Sequence, residues 1–306
     1  MADIIIAGLA LGALYAIVAL GYTMVYGIIE LINFAHGDVF TLGGFIAIPI
    51  LGRLINQNSF TVSTTESIIG IGVAMIVAAI VCAAVGVFIE LVAYRPLRNA
   101  PKLAPLITAI GVSLILENAM YQWQGGLPVY APNNIVQTSN YTFLGVTITN
   151  IQILVIVIAV LMMLGLDFFV NQTRLGKAMR AVAQDREAAS MMGINVNRII
   201  SITFLIGSGL AGAGAVIYLI LEGSVGYNSG FTLGLFAFTA AVLGGIGNIR
   251  GAMMGGFLIG LITAYVQSLG NGGGTEWYDV VVFAILVLIL VFRPAGLLGT
   301  NTTEKV

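Results

Sequence analysis

Few residues of this chain could do chemistry in an apolar setting, and one stretch gathers four of them. Glu30-Leu31-Ile32-Asn33-Phe34-Ala35-His36-Gly37-Asp38 holds two carboxylates, a carboxamide and the single histidine of 306 residues. Such groups could move protons or line a polar path. None of the chain's carboxylates pairs with another at a spacing that points to acid–base catalysis. Cys82 is the lone cysteine and sits in an apolar run, so neither an intrachain disulfide nor a thiolate metal cluster is expected. A phosphate loop is also missing: Gly176-Lys177 is followed by Ala178 and lacks the upstream glycine. No cofactor and no metal site is expected. The remaining chemistry is a polar path through Asn33, His36 and Asp38, with Gly43 and Gly44 following them and Glu117 farther along.

The elements that would position these groups are set by composition. Charged residues make up 8% of the chain and hydrophobic ones 59%, with 39 glycines besides. A soluble domain carries about a quarter of its residues charged, so a water-soluble enzyme is excluded. The net charge of −1 gives no electrostatic footprint for nucleic acid. An integral membrane protein in contact with lipid remains.

A hydrocarbon core about 30 Å thick needs roughly 20 apolar residues per helix. Reading the charge-poor intervals on that basis gives nine candidate helices, at 4–27, 36–54, 67–91, 103–123, 151–170, 199–221, 231–247, 251–269 and 278–296. The first lacks a basic leading region and is too long for a signal-peptide core, so it is expected to stay as a helix. With nine spans, eleven of the twelve Lys and Arg residues fall on one side and only Arg53 on the other. That bias orients the N-terminus outward and the C-terminus inward. The uncharged outer loop at 124–150 reads either as a linker or as a docking surface for a soluble partner.

The second span is too short between its charges. Residues 39–52 would make about 21 Å of helix. Either Asn33, His36 and Asp38 are drawn toward the hydrocarbon, or the chain breaks there, as the broken helices of transporters do. A plainer expectation is a cytoplasmic turn in which Asp38 caps the next helix and His36 is solvated beside it. Glu90, Glu117, Asp167 and Glu222 stand near predicted helix ends and are expected to snorkel to the interface. Gly247, Gly251 and Gly255, Gly256 with Gly260, and Gly207 to Gly214 form small-residue series that let helix backbones approach closely. The hexapeptides at 40–45 and 231–236 echo each other weakly.

The segment 171–198 is too patterned for a passive connector. Lys177 to Gln184 reads as one short helix. Asp185 reads as the N-cap of a second, Arg186 to Met192, with Gly193 just past its end. So short a helix needs a surface to dock on. Ala188, Ala189, Met191 and Met192 would offer a small, soft face to a groove in a partner, and an Asp at 188 or 189 would charge that face.

Glu187-Ala188-Ala189-x3-Gly193 resembles the first half of the coupling loop of ABC importer permeases. The second half is not met, since Thr203-Phe204-Leu205-Ile206 stands where an Ile-x-Leu-Pro ending would be. Stronger likeness runs through Ala19–Ile29, Ile32–Asp38, Val92–Arg98, Gly193–Asn195, Phe238–Gly247 and Pro294–Gly299, in order along nearly the whole chain. These blocks are similar to the permeases of branched-chain amino acid ABC importers. The resemblance implies one transmembrane permease domain over 1–306 with a cytoplasmic coupling loop at 171–198, and the interval count makes it an all-α bundle of about nine spans, eight to ten. It implies a bacterial inner-membrane protein that works with a second homologous permease, two cytoplasmic ATPases and an extracytoplasmic solute-binding protein. The implied cargo is a neutral or branched-chain amino acid, and Asp185, Arg186, Glu187, Ala188, Ala189, Met192 and Gly193 are the implied coupling residues. A channel or secondary carrier for small solutes such as urea is the alternative; the patterned loop and the scarcity of buried acids count against it.

Overall fold

A computed structural model describes residues 1–55, 64–98, 100–101, 103–132, 135–143, 146–269 and 277–299. The outer loop lies partly outside these residues, as do Lys102 and Lys305, which contributed to the charge bias. Eleven α-helices dominate: α1 Ala2–Ile29, α2 Ala35–Leu54, α3 Thr64–Ile89, α4 Leu103–Gln124, α5 Asn150–Gln172, α6 Arg174–Gln184, α7 Arg186–Met191, α8 Val196–Glu222, α9 Ser229–Gly244, α10 Ile249–Ser268 and α11 Tyr278–Phe292. Two small antiparallel pairs complete it, β1 Val129–Tyr130 with β4 Ser224–Val225, and β2 Asn140–Phe143 with β3 Val146–Thr149.

Seven of the helices are long and apolar enough to cross a membrane, and α9 and α11 are shorter apolar helices. Each coincides with an interval read from the sequence. α1, α2 and α8 form the buried centre, while α3, α4 and α5 present mostly exposed apolar surface, as helices facing lipid or another subunit would.

Glycine sets the centre's spacing, because no apolar driving force separates helix from lipid and close backbone contact must supply the attraction. α10 lies against α1 so closely that a Cβ on Gly260 would sit 2.2 Å from Gly12 Cα, and one on Gly256 2.4 Å from Ala16 Cα. Gly251 meets Gly244, and Gly255 meets the Ala240 carbonyl, which locks α10 onto α9. The echoing hexapeptides fall in α2 and α9. These helices cross at Gly37 and Gly230, where a Cβ on Gly230 would be 1.9 Å from the Gly37 carbonyl oxygen. Gly230 N–H donates to Thr41 Oγ1 at 2.7 Å across the same crossing.

Candidate functional site

Between α1 and α2 the chain breaks at Glu30, which ends α1 in the left-handed region with φ 55°, the only described non-glycine residue at positive φ. Its N–H donates to the Tyr26 carbonyl and closes the helix. α2 restarts at Ala35 with Phe34 as its N-cap and no side-chain cap bond. Asp38 is therefore not the cap the sequence led one to expect. It lies in the first turn of α2, fully buried, and Oδ2 accepts a hydrogen bond from the Ser113 hydroxyl of α4. His36 is not solvated either: it is 1% exposed and stacks edge-on against Tyr22 of α1, ring centroids 4.9 Å apart. Gly21 makes the room, since a Cβ there would sit 2.1 Å from His36 Nε2. α2 therefore begins with its polar groups inside the bundle.

This interior is under-satisfied. Among the described residues, both ring nitrogens of His36, Asp38 Oδ1 and Thr23 Oγ1 are buried without a hydrogen bond of good geometry. Buried groups of this kind cost free energy unless water or a change of state supplies partners. Asn33, also buried, is held instead: its Oδ1 accepts from the Tyr94 hydroxyl at 3.0 Å.

Tyr94 belongs to a feature the sequence did not reveal. α3 runs on into a turn of π-helix, Glu90–Tyr94, of the sort that inserts at functional sites. Glu90 was expected to snorkel, yet it is wholly buried. Its carboxylate accepts from Arg95 at 3.1 and 3.2 Å, from Arg98, and from the Ser201 hydroxyl of α8 at 2.7 Å. Arg98 also donates to Asn197 Oδ1. Burial holds the Arg98 guanidinium below its ordinary pKa, and the Glu90 charge works against that shift. The basic run Tyr94-Arg95-Pro96-Leu97-Arg98 was visible as a motif; that it wraps a buried acid was not.

Of the other path candidates, the two glycines separate from this cluster and Glu117 does not. Gly43 faces α8, where a Cβ would meet Gly212 Cα at 2.8 Å, and Gly44 faces Val225 at 3.3 Å, so both serve close packing. Glu117 is half-buried on α4, one turn beyond Ser113. Asp167 is partly exposed and pairs with the exposed Arg250 at 3.1 Å.

Two short helices form within 171–198, the second ending at Met191 rather than Met192. α6 begins slightly earlier, at Arg174, capped by Thr173, which accepts from Gly176 N–H at 3.0 Å. Asp185 caps α7 by accepting from Ala188 N–H at 2.9 Å. Gly193, at φ 83°, ends α7, with Gly193 N–H on the Ser190 carbonyl and Ile194 N–H on the Ala189 carbonyl. One residue changes sides: Ala189 is 3% exposed and packs against the bundle, so it is not part of an outward face. Met191 and Met192 are the outward residues, 84% and 78% exposed. Glu187 is exposed and Ala188 half-buried. Arg186 points back into the molecule and donates to the Ile28 carbonyl at the end of α1, 2.9 Å away. Among the described residues no group of His, Cys, Asp or Glu is disposed to hold a metal ion.

An apolar helical bundle with seven helices long enough to cross a membrane is the architecture of a polytopic membrane protein. The comparisons give the family. Residues 4–290 match the profile of the branched-chain amino acid transport system permease component. The chain is 44% identical over 303 residues to the high-affinity branched-chain amino acid transport system permease protein BraD of Pseudomonas aeruginosa, covering 98% of this chain and 96% of that one. It is 40% identical over 305 residues to the corresponding protein LivH of Escherichia coli, with 98% and 96% covered. A more distant relative is the ribose import permease protein RbsC of Escherichia coli, 25% identical over 291 residues, with 90% and 80% covered. No solved structure matches the chain. This chain belongs to the branched-chain amino acid permease family, and it is a multi-pass protein of the bacterial inner membrane.

Proposed function

We propose that this chain is one of two related permease subunits in an importer with two cytoplasmic ATPases and an extracytoplasmic solute-binding protein, and that it carries branched-chain and other neutral hydrophobic amino acids inward. The whole chain acts as one domain of nine spans, the seven long helices plus α9 and α11, with its N-terminus outside and its C-terminus inside. Residues 171–198 are its cytoplasmic coupling loop. The basic residues Arg174, Lys177, Arg180, Arg186 and Arg198 support that sidedness.

The observation that carries this reading is α7. A six-residue helix is too short to be stable alone, yet it is capped at both ends and seated on Ala189 while Met191 and Met192 stand in solvent. Exposed methionines on a rigid mount suit a groove in a partner, because the thioether adapts to irregular surfaces. When the ATPases close, α7 is pushed, Arg186 transmits the displacement to Ile28, and the chain at 30–34 is where α1 and α2 change their relation. Asn33, His36 and Asp38 follow directly, and the unpaired polar atoms of His36 and Asp38 gain water or solute as the helices part. Asp185 and Gly193 keep α7 rigid in this step, and Glu187 and Ala188 border the contact.

The test is a disulfide or bifunctional cross-link from a cysteine at position 191 to the ATPases in assembled complex, beside uptake by the Met191→Asp, Met192→Asp double variant. Cross-linking together with lost uptake is expected. Full uptake by the double variant, with no cross-link, would remove α7 from the coupling step.

A further inference from the structure

At the end of α8 remote from the coupling helix, about 40 Å along its axis, a cavity of about 310 Å³ opens between α1, α8, α9, α10 and α11. Its size is at the lower end for pockets that hold one small molecule, about 300–1,000 Å³. Three kinds of chemistry meet in it. Glu222, the last residue of α8, is exposed and forms no salt bridge among the described residues. Asn228 and Gln267 contribute carboxamides; Asn228 is the N-cap of α9 but makes no side-chain cap bond there. Leu233 and Phe236 supply an apolar wall, with Tyr278 packed edge-on against Phe236, ring centroids 5.8 Å apart.

We propose that this cavity is a subsite for a free zwitterionic amino acid with a small apolar side chain. The Glu222 carboxylate takes the ammonium group beside the Tyr278 ring, a cation over aromatic carbon. The carboxamide N–H groups of Asn228 and Gln267 donate to the ligand's carboxylate. The side chain rests on Leu233 and Phe236. A simple cation would account for the acid and the ring; the carboxamides and the apolar wall answer the other two parts of an amino acid. The inference rests on the amino-acid transport reading above and adds a place on this chain where the solute is held between the binding protein and the path.

Equilibrium dialysis of the detergent-solubilised complete transporter, without binding protein, measures this with labelled leucine. Saturable binding is expected, weakened about tenfold by Glu222→Gln. 3-Methylbutylamine, which keeps the ammonium, should compete better than 4-methyl-2-oxopentanoate, which lacks it. Glu222 ends its helix at the surface, so the variant should keep its melting temperature, and that is checked alongside. No saturable binding, or binding indifferent to Glu222→Gln, overturns the subsite. Uptake into proteoliposomes with binding protein and ATP separates the two readings. Normal leucine uptake without Glu222-dependent binding removes the subsite alone, whereas no uptake of any branched-chain amino acid removes the transport reading beneath it.

Discussion

The guanidinium of Arg186, in the six-residue helix α7, donates to the backbone carbonyl of Ile28 at 2.9 Å, two residues before the left-handed Glu30 that ends α1. One hydrogen bond thus joins the exposed helix α7 to the point where α1 and α2 separate. The Ile28 carbonyl is among the last of its helix and has no intrahelical donor, so Arg186 both satisfies it and complements the negative helix end. Around the same junction Tyr94 fixes Asn33, and Glu90 gathers Arg95, Arg98 and Ser201. The break is therefore clamped from α7 and from the end of α3, while its interior side, at His36 and Asp38, is short of partners.

Removing the Arg186 link tests whether it transmits force. Arg186→Ala should leave insertion and assembly intact, since the residue is half-buried at the edge of the bundle. A hydrogen bond to a charged group contributes about 1.5–3 kcal/mol, so coupling should fall by about tenfold or more. Reconstituted complex should show ATP hydrolysis retained and uptake lost. Parallel loss of both activities would mean that Arg186 holds the dock rather than the linkage.

Neighbouring alanines should behave unlike each other. Ala189 is buried against the bundle, and an Asp there leaves a carboxylate without partners, costing several kcal/mol. Ala189→Asp should lower the melting temperature and the yield of inserted protein. Ala188→Asp, at a half-buried site, should insert normally and lose uptake. Thermal unfolding in detergent distinguishes them; equal stability of the two variants would contradict the orientation of α7.

Much of this architecture was readable in the residues. The helix intervals follow from charge spacing and hydrocarbon thickness, and the α7 caps follow from Asp185 and Gly193, because both are local consequences of side-chain chemistry. The tertiary partners were not. Asp38 read as a cap because Asp before an apolar run ordinarily is one, but Ser113, 75 residues away, takes its carboxylate instead. Glu90 read as a snorkelling acid because nothing local shows that a π-turn folds Arg95 and Arg98 over it. Ala189 read as outward because a six-residue helix carries too little periodicity to show which face is buried.

The Gly21–His36 contact gives a paired test. A Cβ at 21 would lie 2.1 Å from His36 Nε2, and overpacking of this kind costs about 1–3 kcal/mol. Gly21→Ala should therefore destabilise the protein, and adding His36→Ala should recover much of that loss. His36→Ala alone should lower transport if the ring lies on the path. Normal kinetics for His36→Ala with full rescue in the double variant would leave His36 as packing only.

The Glu90 network should divide by exposure. Arg95 has 38% of its side chain exposed and Arg98 16%, against none for Glu90. Water already screens Arg95, so Arg95→Ala should cost least, about 1 kcal/mol or below. Arg98→Ala removes the better buried partner and should cost more. Glu90→Ala is the worst case, since it leaves two guanidinium groups crowded over an apolar hole beside Ser201 and frees the turn that holds Tyr94 on Asn33. Melting temperatures in detergent should fall in that order, and Glu90→Ala should also reduce uptake by loosening the break. Glu90→Gln keeps the shape and one acceptor, so it should lie between Arg98→Ala and Glu90→Ala. A Glu90→Gln variant as stable as the parent would show that the carboxylate's charge adds nothing to this junction.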